Sequence, residues 1–289
     1  MRLNRKFLEA LGAVVLVCFS FYYTDQAVDI VRRNDPVMKE IEKISNSYLI
    51  NAIDARLIDN SLIPGYSGKK VNVKESYYKM KQYGSYEESL LVFEEVEPTI
   101  SMDEYYDKYV IRGNDLKNSV SLVFKVEKND NILNILNILN EKNIQATFFI
   151  DGVFLENNSE LVYDMLSEEH EVEVLSYDDT LDRKTFKTSL ENLESISNIK
   201  GKYCYAEYDQ KELLELCSKE EMHTVIPTIL ASNRPFTTVK KKIDNGNIIA
   251  FPINNEVIKE LATIINYIKQ KGYNIERLDN LLSEKESKK

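Results

Sequence analysis

Between residues 120 and 179, short apolar runs of strand length alternate with stretches whose apolar residues recur at helical spacing. The runs are residues 120–124, 146–150 and 171–175, and between them lie NILNILNILNEKN and ELVYDMLSEEH. That order predicts βαβαβ units and a parallel sheet. A parallel strand is covered on both faces, so it needs no polar alternation. Asparagine is a poor helix former, yet the near-helical period of NILNILNIL gives it a wide apolar face, so it is predicted to be the first crossover helix.

The same grammar continues to the carboxyl end. DRKTFKTSLENLESISN predicts a helix opened by Asp182, DQKELLELCSKEE a second opened by Asp209, and MHTVIPT a strand. Gly246 turns the chain into the strand NIIAFPI. A long helix then carries Val257, Ile258, Leu261, Ile264, Ile265 and Ile268 on one side and closes at Gly272. The tail EKESKK is expected to fray. Upstream, Val37, Ile41, Ile44, Tyr48, Leu49, Ala52 and Ile53 make one apolar stripe on a helix predicted over residues 36–60. Pro64, Gly65 and Gly68 punctuate the chain. Tyr77, Met80 and Tyr83 recur at helical spacing and read as core contacts, and residues 90–96 read as a strand ending before Pro98. Residues 64–114 are therefore expected to form a small α+β unit beside the sheet domain.

At the amino end, Arg2, Arg5 and Lys6 precede an apolar run from Ala10 to Tyr23, which Phe7 and Leu8 extend across Glu9. A spanning helix takes about 20 apolar residues, with a lower end of about 17, so this run is at the short end. Basic residues ahead of it predict the amino end inside, with Tyr22 and Tyr23 at the far interface. No A-x-A cleavage site follows, so an uncleaved signal anchor is expected in preference to a removed signal peptide. The rest of the chain would then lie outside the cytoplasmic membrane.

Composition narrows the classes further. A chain of 289 residues can bury one large core or two smaller ones. Its formal charge of −10, unrelieved by any basic stripe, argues against a nucleic-acid partner. Cys18, Cys204 and Cys217 form no C-x-x-C pair, so neither a zinc knuckle nor a redox motif is supported. Val15, Leu16 and Val17 offer no small residue ahead of a lipidated Cys18, and Cys204 and Cys217 are expected to be packed free thiols.

The phrase IQATFFIDG at residues 144–152, the segment ELVYDML and the sequence His170-Glu171-Val172 resemble the catalytic domain of polysaccharide deacetylases, the NodB-homology family. In that family a strand ending TFDDGP is followed by a helix, a strand like ATFF-x-x-G, and GHEIGNHTxSH. The likeness runs over about residues 115–282. It implies an α/β fold, a NodB-type distorted (β/α) barrel, here preceded by the amino-terminal membrane helix and the small α+β membrane-proximal region. The activity implied is hydrolysis of an N-acetyl group from an amino sugar. A divalent metal, zinc or another, held by one aspartate and two histidines would activate water, with a neighbouring aspartate as general base and a later histidine as general acid.

The positions that would carry this chemistry are substituted. Setting residues 123–124 against the TF of TFDDGP puts Lys125 at the general base and Val126 at the metal aspartate. A charged ammonium cannot accept a proton and an isopropyl group cannot bind a cation. Leu175 and Asp179 fall at the two metal histidines, YCYAEYD at residues 203–209 replaces an RPPYG-like loop, and Pro252 falls at the acid histidine. The chain has only two histidines, His170 and His223, where the full set needs three. His170 reads as a cationic cap on a helix end, and His223 as packed or surface-exposed. No catalytic residue, metal ligand or cofactor is therefore assigned. Asp178 and Asp179, at a strand's carboxyl end where such sheets open their clefts, are candidates for contact with a sugar, as are Tyr203, Tyr205 and Tyr208. A solvated carboxylate pair is the plainer reading of Asp178 and Asp179.

The expected organisation is an anchor at 1–35, a membrane-proximal region at 36–114, the deacetylase-like domain at 115–283 and a charged tail at 284–289. The function expected is an anchored, extracytoplasmic protein without catalysis, binding cell-wall glycan or another envelope protein. One alternative is a divergent carbohydrate deacetylase with ligands drawn from Asp178, Asp179, Glu173 or Glu207; another is a purely structural partner of a membrane protein.

Overall fold

The computed structural model describes residues 5–127, 130–175 and 183–285, apart from the side chains of residues 5–10, 21 and 23–30. In chain order the elements begin with α1 (Arg5–Asn34), α2 (Pro36–Ser45), β1 (Arg56–Ile58), β2 (Ser61–Ile63), β3 (Gly68–Val71), α3 (Val73–Lys81), β4 (Phe93–Val96) and β5 (Tyr109–Val110). There follow β6 (Ser119–Val126), α4 (Leu133–Lys142), β7 (Thr147–Ile150), α5 (Gly152–Asn157), α6 (Ser159–Ser167), β8 (Glu171–Val174), α7 (Arg183–Ser197), β9 (Tyr203–Tyr205) and α8 (Lys211–Lys219). The chain continues through β10 (His223–Val225), β11 (Ile229–Leu230), α9 (Pro235–Lys242), β12 (Ile248–Pro252), α10 (Asn255–Gln270), β13 (Asn274–Glu276) and α11 (Leu278–Leu282).

Two compact units result, Met1–Asn51 with Gly68–Val96, and Ala52–Ser67 with Glu97–Lys289. In the smaller unit, β3 and β4 pair antiparallel and α2 and α3 bury Val37, Met38, Ile41, Tyr77 and Met80 with Val71. Asp35 caps α2 by accepting from the Val37 amide at 2.9 Å, and its other oxygen accepts from the Tyr77 hydroxyl at 3.0 Å. Tyr77 and Met80 are core contacts as expected, but Tyr83 lies on the surface. The helix expected over 36–60 stops at Ser45, because Ile50 and Ile53 are drawn into β-bridges with Lys69 and Tyr66. Residues 52–67 and 97–114, which the sequence grouped with the membrane-proximal region, belong to the larger unit, since β2 and β5 join the same sheet as β9 and β10.

The larger unit is built on two sheets, one ordered β11-β12-β6-β7-β8 with β13 also on β6, the other β1-β2-β5-β10-β9. Apart from the β1–β2 hairpin, the pairs in both are parallel. An inner core draws Val123, Phe149, Leu175, Ile248 and Ala250 from one sheet side and Leu62, Val110, Tyr205 and Val225 from the other, making a distorted βα barrel. An outer core packs Leu122, Phe124 and Val126 of β6 under the helices, with Phe124 stacked 5.1 Å from Phe148 and 5.5 Å from Phe251. Helix α4 is indeed formed by NILNILNIL, with Ile135, Leu136 and Leu139 buried. Helix α10 is capped by Asn254, and Gly272 beyond its end has φ +87°. Gly246 is required for two reasons: its φ is +73°, and a Cβ there would meet the Gly113 carbonyl oxygen at 2.4 Å.

Other expectations are corrected by packing. Asp209 does not cap α8; its carboxylate accepts from the Tyr109 hydroxyl at 2.8 Å, and the helix opens after Gln210. Asp182 lies outside the described residues. Cys204 and Cys217 are not free thiols: β9 and α8 bring their Cα atoms to 6.4 Å and the sulfurs are bonded. The run Ala10 to Tyr23 lies within α1, part of it among the undescribed side chains, and among the described residues no helix is long and apolar enough to cross a membrane.

Phe124 has no solvent exposure and aromatic neighbours on two strands, so truncation leaves a cavity that rigid sheet cannot fill. Phe124→Ala should cost about 3–5 kcal/mol, read from the shift of the denaturant midpoint. A loss below about 1 kcal/mol would contradict the packing described.

Candidate functional site

At the carboxyl ends of the parallel strands, where βα barrels hold their reactive groups, the inward row of β6 ends in Lys125. Its ammonium lies 3.2 Å from Glu127 and 3.3 Å from Glu207, and its side chain is only 18 % exposed. Burial by itself would lower the lysine pKa; the hydrogen bond to Glu127 and the charge of Glu207 outweigh it, and the net shift is upward. The group is therefore a fixed cation. Around it a cavity of about 190 Å³ is lined by Tyr205, Pro252, Asp130 and Phe251 among others. That is smaller than the roughly 300–1,000 Å³ typical of small-molecule sites.

The expected sugar-contact residues do not gather here. Tyr205 is buried in the inner core with its ring 5.3 Å from Phe149, Tyr203 is buried at the opposite end of β9, and Tyr208 lies exposed. The three tyrosines make no common platform: Tyr203 and Tyr205 line different cavities, and Tyr208 lies on the surface. Asp178 and Asp179 lie outside the described residues.

These residues do not fit a divalent cation. Lys125 brings a positive charge to the general-base position, Val126 is buried in the outer core beneath the helices, Leu175 is buried in the inner one, and Pro252 has no donor side chain. Among the described residues no group of three or more His, Cys, Asp or Glu side chains is gathered to hold a metal ion. Glu207 is committed to Lys125, and Glu173, only 4 % exposed, accepts from the Lys202 amide at 3.1 Å.

Toward the amino ends of the strands the interior is acidic. Burial pushes the Glu173 carboxyl well up, and the Glu171 charge adds to it; burial, then Asp279, raises Glu171 in the same direction. Glu171 accepts from the Thr147 hydroxyl at 2.7 Å and the Asp279 amide at 3.1 Å. His170 is 2 % exposed and accepts from the Ala146 amide through Nδ1 at 3.1 Å, while burial lowers its pKa. It is a neutral joint between α6 and β7, not a cationic helix cap. His223 is likewise buried, stacked on Tyr106 at 4.5 Å with Nε2 3.3 Å from Asp103. Sequence reasoning found neither pairing: Lys125 and Glu207 are 82 residues apart, and His223 and Asp103 are 120 apart.

The site is thus an ion-paired ammonium at the carboxyl ends of the strands of a βα barrel. The polysaccharide deacetylase family model matches residues 112–244. The chain is 28 % identical over 278 residues, 89 % of its length and 86 % of the other's, to the uncharacterized protein YlxY of Bacillus subtilis (strain 168). Among solved structures, wild-type BA3943 from Bacillus anthracis, described as a CE4 family pseudoenzyme, matches with 25 % identity and a TM-score of 0.67, covering 87 % of this chain and 96 % of that one. A BA3943 mutant with restored enzymatic activity shares the fold at 24 % identity and a TM-score of 0.67, over 86 % and 98 % of the two chains. The match over residues 112–244 and the likeness to a CE4 family pseudoenzyme support a divergent relative of the polysaccharide deacetylases.

The raised carboxyl pKa of Glu173 has a sign that can be checked. Below the ordinary carboxylate value of 4.5 the folded and unfolded states both hold the proton; above it the unfolded chain releases the proton first, so stability falls as pH rises. Glu173→Gln removes that dependence. The melting temperature of the variant relative to the natural protein should therefore climb between pH 5 and pH 7.5, and a pH-independent difference would show that Glu173 ionises normally.

Proposed function

We propose that this protein is a deacetylase-like module that binds without hydrolysing, held outside the cytoplasmic membrane as a cell-wall glycan-binding or scaffolding element. The observation that carries the reading is Lys125: an ammonium paired with Glu127 and Glu207 stands at the general-base position, where it repels a metal ion and cannot take a proton from water. The BA3943 pair supports it from a relative, since that scaffold exists as a pseudoenzyme whose activity a mutant restores. The disulfide between Cys204 and Cys217 supports an oxidising compartment. The tie to the membrane rests on the sequence pattern of Arg2, Arg5 and Lys6 ahead of the apolar run.

Incubated with zinc and an N-acetylated amino-sugar oligomer, the purified protein should release no acetate and retain no stoichiometric metal. Lys125→Asp alone should change neither, because Val126 and Leu175 remain apolar. Acetate release by the natural chain would favour the divergent deacetylase. For the compartment, peptide mapping without reductant should recover Cys204 and Cys217 linked and Cys18 alkylated. Three alkylated cysteines in freshly isolated protein would count against export.

A further inference from the structure

At the amino ends of β9 and β10, opposite Lys125, the larger unit holds a second cavity of about 610 Å³. Its volume lies within the range of small-molecule sites, and its lining is that of a built pocket. The floor includes Tyr203 and His223, which are 6 % and 5 % exposed. Tyr106 lies face to face with His223, ring centroids 4.5 Å apart at 25°. His223 Nε2 is engaged by Asp103 at 3.3 Å, whereas Nδ1 is buried without a hydrogen-bond partner among the described residues, a condition native structures seldom leave uncompensated. Glu97, Glu104 and Glu221 add carboxylates to that of Asp103, against the amines of Lys202 and Lys285. The lining thus combines an aromatic stack with an excess of negative charge.

We propose that this cavity binds an amino sugar carrying a free, protonated amine. The stacked rings of Tyr106 and His223 offer a flat face to the C–H side of a sugar ring, and aromatic faces and carboxylates together attract an ammonium. Acetylation would remove the charge and leave the carboxylates facing an amide. A volume of about 610 Å³ gives room for one or two sugar units. The inference rests on the reading that the chain binds glycan without hydrolysing it, and moves the binding from the family's catalytic end to the opposite one.

The test is calorimetric titration of the full-length chain with a glucosamine tetramer, its fully N-acetylated counterpart and tetralysine. The glucosamine tetramer should bind roughly tenfold more tightly than the acetylated one. Tyr106→Ala and the double variant Glu104→Gln/Glu221→Gln should each weaken it by about tenfold. Tyr106→Phe, which keeps the ring stack, should stay within about twofold, as should Lys125→Ala at the far end. Absence of saturable binding, equal affinity for the acetylated oligomer, tighter tetralysine binding, or insensitivity to the cavity variants would each overturn the site. The double variant changes only exposed carboxylates, so its reading does not depend on a refolded core. Acetate appearing in the same cell would instead sink the non-hydrolytic reading, so the two failures can be told apart.

Discussion

Strand β6 has to be covered on both faces and both edges, and the larger unit is arranged to do it. β12 runs along residues 121–125 on one edge, and β13 then β7 succeed one another along the other. With the edges fixed, a period of two decides each side chain's destination. Leu122, Phe124 and Val126 go outward beneath the helices, while Val123 and Lys125 go inward. A slip of one residue would exchange the two sets. Val126 is thus held in the apolar layer by the same register that delivers Lys125 to the mouth of the barrel.

A charge delivered to that mouth must be compensated. An ammonium with 18 % of its side chain exposed is costly to leave alone, and Glu127 and Glu207 answer it from the end of β6 and the segment after β9. That end of the barrel is a narrow pocket with its ammonium held between two carboxylates. The opposite end takes the reverse solution, with buried carboxyls of raised pKa and backbone amides as their partners.

That second end also fastens the carboxyl-terminal segment. The Leu278 amide donates to Thr147 Oγ1 at 2.8 Å, and the same hydroxyl donates to Glu171. Arg277 pairs with Asp279 at 2.9 Å and donates to the Glu169 carbonyl at 3.0 Å. Glu284 accepts from the Gly65 and Met102 amides and the Ser101 hydroxyl. Loops from early in the chain are thereby tied to its end, which is why residues 52–67 and 97–114 fold with the sheet domain. The wall that carries Asp103 and Tyr106 comes from those same loops.

The strands at 120–124, 146–150 and 171–175 and the helices between them were legible because hydrophobic period is a local property, and each segment's burial is written in its own residues. The side chains at Lys125, Val126, Leu175 and Pro252 could be set against the motif places of the resemblance, and the structure shows where each of them sits. What the sequence could not supply were pairings across distance: the Cys204–Cys217 bond, the partners of Lys125, the neutral state of His170, and the stack of Tyr106 on His223. The tyrosines grouped as a sugar platform are divided between two cavities and the surface, Tyr203 in one, Tyr205 in the other and Tyr208 exposed. Local residue pattern was enough for most of the elements; which charges meet, and which side chains line each cavity, followed from the folded chain. The reason is physical: burial and polar pairing depend on neighbours that chain folding brings together from as far as 219 residues away.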